Sequence, residues 1–317
     1  VELGRALLAD PRLPNKARLG RGEDITPCLR CFECFAETSK SETVKCTVNP
    51  RMGEQLWVPE ALPSAERRKR VLVVGGGPAG MEAAAELAER GHSVVLCERE
   101  QELGGAMRYA KYVPFKQKVD QLMQVMIRRL ERSGAELRLG TEATQELAEE
   151  LQPDVIVAAL GAKAKRPDVT GGERAIMAAD ALRDIDSIGQ TAAVIGGGLV
   201  GCEIALQLGM TGRSVQLISR KKEVCRDAAY LYREGLLMEL EKVPVTILNE
   251  ADCVAVTGNG AVIRTPDGSE LELKADSVIW AGGYLPMDDE AEQFRAFAYD
   301  FWKIGDCAQV RKIFNAR

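Results

Sequence analysis

The chain is almost without histidine: one, His92, in 317 residues. Ser-His-Asp and Cys-His catalysis therefore have almost nothing to draw on, and neither do histidine-rich metal sites. His92 falls in the turn of ERGHSVVL and reads as a surface turn residue. Long apolar runs are missing as well; none approaches the roughly 18 residues of a membrane helix. The opening VELGRALLADPRLP lacks the charged-then-apolar order of a secretion signal. No positive surplus exists: the net charge of −5 argues against nucleic acid or an anionic membrane as partner. The short basic run Glu66-Arg67-Arg68-Lys69-Arg70 reads as a solvated linker. Nine cysteines, an odd number with no export signal, fit a reducing cytoplasm better than a disulfide framework. Five of them, Cys97, Cys202, Cys225, Cys253 and Cys307, form no CxxC or CxxxxC pair, which argues against a redox dithiol.

What is present begins with a repeat. RVLVVGGGPAGMEAAAELAERGHSVVLCERE reads strand, glycine turn, helix, strand. The continuous apolar run Val71–Val74 suits a parallel strand buried on both faces. TAAVIGGGLVGCEIALQLGMTGRSVQLISR has the same order 121 positions later, a duplicated domain rather than a solenoid period. Between and after these, a helix is expected near Lys116–Ser133, strands near Glu136–Leu139 and Asp154–Ala159, a helix near Ala228–Glu241 and a strand at Val245–Leu248. Three further short strands are expected, parted by the turn signals Gly258-Asn259-Gly260 and Pro266-Asp267-Gly268. Leu3, Leu7 and Leu8 have helical spacing, and Pro11 and Pro14 are expected to break the helix beyond them.

Both glycine turns carry the chemistry of a dinucleotide site. In Gly75-x-Gly77-x-x-Gly80 the first glycine permits the turn, the second lets the backbone approach a pyrophosphate, and the third lets helix and strand pack closely. The phosphates then meet the positive end of the following helix. Glu98, 23 positions after Gly75, ends the second strand, where a carboxylate can accept hydrogen bonds from a ribose. In Gly196-x-Gly198-x-x-Gly201 the same count lands on Ser219, followed by Arg220, Lys221 and Lys222. A carboxylate there would repel a 2′-phosphate, whereas these cations would bind one, so NADPH is expected over NADH. An exposed basic turn of no consequence is the alternative. Two dinucleotide sites in one chain suit a nicotinamide hydride donor and a flavin acceptor, with FAD on the acid-bearing first turn.

The N-terminal cysteines are spaced Cys28-x2-Cys31-x2-Cys34-x11-Cys46. Structural zinc sites usually come as two CxxC-like pairs or with histidines. Three thiolates on one tight loop with a remote fourth look more like ligation of a [4Fe–4S] cluster; zinc, or cysteines that hold nothing, are the alternatives. A flavin takes two electrons and releases them singly, so nicotinamide, flavin and cluster form a workable order.

Taken together, CLRC with Cys34, CTVNPRMG, VLVVGGGPAGMEAA and VIGGGLVGCE resemble the C-terminal half of the iron–sulfur flavoproteins akin to 2,4-dienoyl-CoA reductase, trimethylamine dehydrogenase, enoate reductases and bile-acid 3-oxo-4-desaturases. The resemblance spans essentially the whole chain. It implies an α/β architecture of two Rossmann-like domains, an FAD domain split by an inserted NAD(P) domain. These come after a cysteine-rich segment and a remnant of an Old Yellow Enzyme-like FMN barrel. The implied division is 1–27 barrel end, 28–65 cluster segment and linker, 66–165 and 281–317 FAD domain, 166–280 NAD(P) domain. By the same resemblance Gly4 and Arg5 would lie at the FMN phosphate. Arg99, the loop Glu102-Leu103-Gly104-Gly105, Gly161 and Asp306 would lie at FAD, Asp306 on its ribityl chain. Leu160 departs from the family's usual threonine. Glu203 would face the nicotinamide end, or else stand on a solvent-facing helix surface. The barrel and the end of the chain look truncated, so no catalytic residue is assigned.

The implied activity is oxidation of NAD(P)H at FAD, with electrons passing through the cluster to FMN and an activated C=C bond. In a trimethylamine dehydrogenase-like alternative, the second nucleotide domain is a structural binder and electrons flow outward. A glutamate synthase small-subunit-like role would call for more N-terminal cysteines. The expected partners are a nicotinamide nucleotide and the FMN barrel or an external acceptor, with self-association left open, in the cytoplasm.

Overall fold

The computed structural model describes residues 3–39, 43–55, 59 and 62–315. Part of the expected linker, 56–58, 60 and 61, lies outside the described residues. The chain forms two compact units, one of Val1–Lys111, Lys116–Lys163 and Leu285–Arg317, the other of Tyr112–Phe115 and Ala164–Tyr284.

The first unit opens with α1 (Gly4–Ala9), α2 (Leu13–Arg18) and α3 (Glu33–Ser39). The second helix corrects the expectation that Pro11 and Pro14 end helical structure. Pro14 sits in the first turn of α2, where its missing N–H has no intrahelical partner to lose. Next in the chain are β1 (Arg70–Val74), α4 (Pro78–Glu89), β2 (Ser93–Glu98), α5 (Gln117–Arg132), β3 (Glu136–Leu139), α6 (Gln145–Leu151) and β4 (Val155–Ala158). A short strand, β5 (Ala162–Ala164), leads into the second unit.

That unit contains β6 (Ile176–Met177), α7 (Ala178–Arg183), β7 (Thr191–Ile195), α8 (Leu199–Met210), β8 (Ser214–Ile218), α9 (Tyr230–Leu240) and β9 (Val245–Leu248). It continues with β10 (Asp252–Thr257), β11 (Gly260–Arg264), β12 (Glu270–Lys274) and β13 (Ser277–Trp280). After β14 (Tyr284–Pro286) the first unit closes with α10 (Asp288–Glu292) and β15 (Asp300–Lys303).

Each unit holds a five-stranded sheet, ordered β15-β4-β1-β2-β3 in the first and β6-β13-β7-β8-β9 in the second. All pairings in both are parallel. The duplication legible in the sequence is therefore a duplication of topology: β1 pairs with β2 and β4 as β7 pairs with β8 and β13. In both, the chain reverses its direction across the sheet beside the first strand of the repeat, the place where α/β sheets open a crevice.

β1 shows why its sequence is apolar throughout. Val71 and Val73 pack on one face with Met81, Ala84 and Ala85 of α4 and Leu130 of α5. Leu72 and Val74 pack on the other with Ala148 of α6 and Phe294. Alternate side chains point to opposite faces, and here both faces are covered. All four are buried, each contributing about 1.5–3 kcal/mol relative to exposure. Arg129 on α5 reaches Glu82, Glu86 and Glu89 along α4, at 2.6, 2.6 and 2.7 Å, and so fixes the pairing of the two helices.

The three strands expected around the glycine turn signals form an antiparallel sheet, β10-β11-β12. Thr257 faces Gly260 across the two-residue Gly258-Asn259 hairpin. Among the described residues no helix is long and apolar enough to cross a membrane.

Candidate dinucleotide and cysteine sites

The first glycine turn leaves β1 with Gly75 at φ +106°, a left-handed conformation that costs glycine nothing. A Cβ there would stand 2.4 Å from the Ala159 carbonyl oxygen, and one on Gly80 would stand 1.9 Å from that of Gly75. Gly77, by contrast, faces open space: nothing lies within 4 Å of its Cβ position. Two glycines thus close the turn tightly while the third leaves room at the start of α4 for a ligand's phosphates.

Glu98, at the end of β2, is buried and turned onto this loop. Its carboxylate accepts from the Gly76 N–H at 2.7 Å and the Glu100 N–H at 2.9 Å. Gly104 donates its N–H to the Gly76 carbonyl at 2.9 Å, and Gly105 packs against the Gly77 Cα. The 102–105 loop is therefore folded onto the glycine turn. Gly305 packs against Ala79, which brings Asp306 to the N-terminal end of α4. Asp306 accepts from the Arg311 N–H at 3.1 Å, and burial raises its carboxyl above the ordinary range. Gly161 comes just after the Ala159 carbonyl that Gly75 abuts, at φ +78°. Arg99 is exposed, 3.8 Å from Glu100.

The second turn repeats this construction. Gly196 has φ +122°, and a Cβ on it would meet the Ala281 carbonyl oxygen at 2.3 Å. A Cβ on Gly201 would stand 1.9 Å from the Gly196 carbonyl oxygen. Ser219 replaces the glutamate. It is buried, and its hydroxyl accepts from the Lys221 N–H at 3.2 Å. Arg220, Lys221 and Lys222 beside it are exposed. The difference at this position is one of charge: an acid on the first turn, a small hydroxyl with three cations on the second.

Three features here were not legible in the sequence. Asp227 reaches back to the N-terminus of α8, its two oxygens 3.0 and 3.1 Å from the Leu199 N. Cys225, in the left-handed region at φ +57°, donates its N–H to the Gly197 carbonyl at 2.7 Å, and its thiol pushes that of Cys202 up. Glu203 is buried, which rules out a solvent-facing role; the Tyr232 hydroxyl donates to it at 2.8 Å. About 20–30 positions of chain separate such partners, and periodicity says nothing about pairs so far apart.

The cysteines Cys28, Cys31, Cys34 and Cys46 line one cavity, with Arg5, Phe32 and Thr47. Arg30 and Phe32, on either side of Cys31, are both left-handed, at φ 56° and 60°. Left-handed conformations are uncommon for residues other than glycine, and here two of them flank one cysteine. The Thr47 hydroxyl lies 3.1 Å from the Cys31 Sγ. Burial pushes the thiols of Cys34 and Cys46 up. No three His, Cys, Asp or Glu side chains among the described residues are placed to hold a metal ion. Leu29 and Val48 of this segment pack against the core of Met107, Leu122 and Met123. Gly4 begins α1 and is exposed; the Arg5 guanidinium lies 4.6 Å above the Phe32 ring.

A family model described as pyridine nucleotide-disulphide oxidoreductase matches residues 69–298. The chain is 32% identical to an NADH oxidase of Thermoanaerobacter brockii, over all of this chain and 50% of that protein. It is 33% identical to a cinnamate reductase of Clostridium sporogenes, over all of this chain and 48% of that protein. Among solved structures, a 2-naphthoyl-CoA reductase complex matches with a TM-score of 0.91 at 30% identity, covering 98% of this chain and 48% of that one. The chain spans about half the length of the curated relatives it matches.

Proposed function

The chain belongs to the pyridine nucleotide-disulphide oxidoreductase family, and from that premise we propose that it is the NAD(P)H-oxidising, electron-relaying half of a larger iron–sulfur flavoprotein. The observation that carries this reading is the pairing of two like glycine cradles with opposite charge at the strand end: Glu98 on one, Ser219 with Arg220, Lys221 and Lys222 on the other. The first would hold FAD, the second NADPH. FAD on the first cradle would supply a two-electron acceptor for a nicotinamide hydride, and a cluster on the cysteines would supply a one-electron outlet.

The residues of the chain position these groups. Gly77 leaves its backbone open to the flavin pyrophosphate, and Glu98 holds the turn while keeping lone pairs for a ribose. Arg220, Lys221 and Lys222 offer charge-assisted bonds to a 2′-phosphate. The cysteines supply four thiolates. A single zinc would draw them to about 2.3 Å from one point, whereas a cluster is held by thiols spread around a cage. The spacing Cys28-x2-Cys31-x2-Cys34-x11-Cys46, with all four side chains lining one cavity, supports the cluster. Nine cysteines, an odd number, suit a reducing cytoplasm. Relatives named as reductases of cinnamate and of 2-naphthoyl-CoA support an activated C=C bond as the destination of the electrons, and the half of those proteins that this chain does not span is where the FMN barrel would stand.

A second reading has one observation in its favour. Asp227 occupies the N-terminus of α8, as it could in a nucleotide domain that is a structural element while electrons flow outward. Anaerobic addition of NADPH to protein reconstituted with FAD, iron and sulfide separates the two. Prompt bleaching of the flavin, then a reduced-cluster paramagnetic signal, is expected. Absence of bleaching with both NADPH and NADH would leave the outward reading standing.

A further inference from the structure

On the second glycine turn, the place a pyrophosphate would take is held by a carboxylate of the chain itself. The Leu199 N–H is the first of α8, and Asp227 meets it with both oxygens, at 3.0 and 3.1 Å. The same oxygens stand 3.6 and 3.9 Å from the Cβ position of Gly198. That is the open face on the corresponding glycine of the first turn, Gly77, where nothing lies within 4 Å. The residue after Gly77 is Pro78, which has no N–H to offer. Only the second turn therefore has this donor, and it is satisfied from within.

The carboxylate is held there by its segment. Two residues earlier, Cys225 donates its N–H to the Gly197 carbonyl at 2.7 Å and adopts a left-handed conformation unusual for a non-glycine residue. Val224 packs against Gly197. Residues 224–227 thus form a strap across the turn.

We propose that Asp227 is an internal occupant of the pyrophosphate position of the second dinucleotide site, and that a nicotinamide nucleotide binds by displacing it. This rests on the reading of that site as a nicotinamide-nucleotide site. A pyrophosphate and a carboxylate cannot share one N–H, and at contact distance their charges repel. The nucleotide must therefore move Asp227 away, and its apparent affinity is reduced by the fraction of molecules in which the strap is closed. Arg220, Lys221 and Lys222 remain free of this contact, so the strap penalises NADPH and NADH alike. It sets overall affinity, while the cations set the preference between the two.

The test is nucleotide binding to Asp227→Asn and Asp227→Ala, read by the fluorescence of NADPH and of NADH. Both variants are expected to bind both nucleotides about tenfold tighter, with the ratio between them unchanged. Unchanged affinity with lowered thermal stability would make Asp227 a helix cap alone, and weakened binding would make it a direct contact to the ligand; either overturns the inference. Binding by the native chain without gain in the variants sinks this inference only. No binding by any form overturns the nucleotide reading as well. Should the variants fail to fold, hydrogen exchange of the native chain decides: NADPH is expected to speed exchange of the Cys225 amide, and slower exchange there refutes the strap.

Discussion

Replacing Glu98 by Gln separates two roles that one carboxylate would combine. The side chain is 8% exposed and accepts two backbone N–H groups, from Gly76 at 2.7 Å and Glu100 at 2.9 Å. A carboxylate can accept at both oxygens, whereas a glutamine amide has one oxygen and must turn its NH2 toward the other N–H. One charge-assisted bond is lost, a donor is set against a donor, and the remaining bond becomes neutral. At roughly 1.5–3 kcal/mol for a hydrogen bond to a charged group, the cost is about 2–3 kcal/mol. For a unit of this size that lowers the melting temperature by roughly 4–12 °C. The assay is circular dichroism of flavin-free protein, then retention of FAD on gel filtration. Both should fall. If Glu98 served only the ribose, flavin retention would drop while the flavin-free protein melted within about 1 °C of the original. That result would refute the argument that the carboxylate builds the turn.

The same geometry sets other outcomes. Gly80→Ala places a Cβ 1.9 Å from the Gly75 carbonyl oxygen and Gly201→Ala one 1.9 Å from that of Gly196; the first should abolish FAD binding and spare NADPH, the second the reverse, as flavin content and nucleotide titration would show. Arg220→Gln with Lys221→Gln should raise the KM for NADPH about tenfold while leaving that for NADH nearly unchanged; equal effects on both would dismiss the 2′-phosphate role. Cys46→Ser should remove the iron and the cluster's share of the visible absorption of the reconstituted protein while the flavin band stays, and native protein holding zinc in place of iron would overturn the cluster. His92 lies in its turn as expected, but its Nδ1 accepts from the Lys69 N–H at 3.2 Å. Burial, then the charges of Arg90 and Lys69, lower its pKa from 6.5. The folded state thus binds the proton less readily than the unfolded one, so stability present above pH 6.5 is lost as pH falls through the lowered value. Denaturant midpoints from about pH 7 to pH 5 should show this loss, and His92→Asn should remove that part of it.

The two glycine repeats were legible because each glycine answers a steric demand written locally. A chain leaving a strand into a helix within three residues needs a positive φ at Gly75 or Gly196, and no side chain at Gly80 or Gly201. The hairpin at Gly258-Asn259 is legible for the same reason. α2 was not, because Pro14 is a breaker in the middle of a helix and an ordinary residue at its start; composition alone does not say which position it will take. Nor was the burial of Glu203, an acid in a helix next to an apolar run, whose partner Tyr232 arrives from α9.

Local chemistry by itself determined the order of strands and helices, the two cradles, the acid on one and the hydroxyl on the other, and the cysteine loop, since each depends on neighbours within a few residues. Only the tertiary structure decided what fills and closes those features. Asp227 on the Leu199 N–H, Arg5 over Phe32, and Gly305 beside Ala79 join residues 27 to more than 200 positions apart. Their meeting depends on how the sheets and loops pack, and packing is a property of the assembled core rather than of any stretch of the chain.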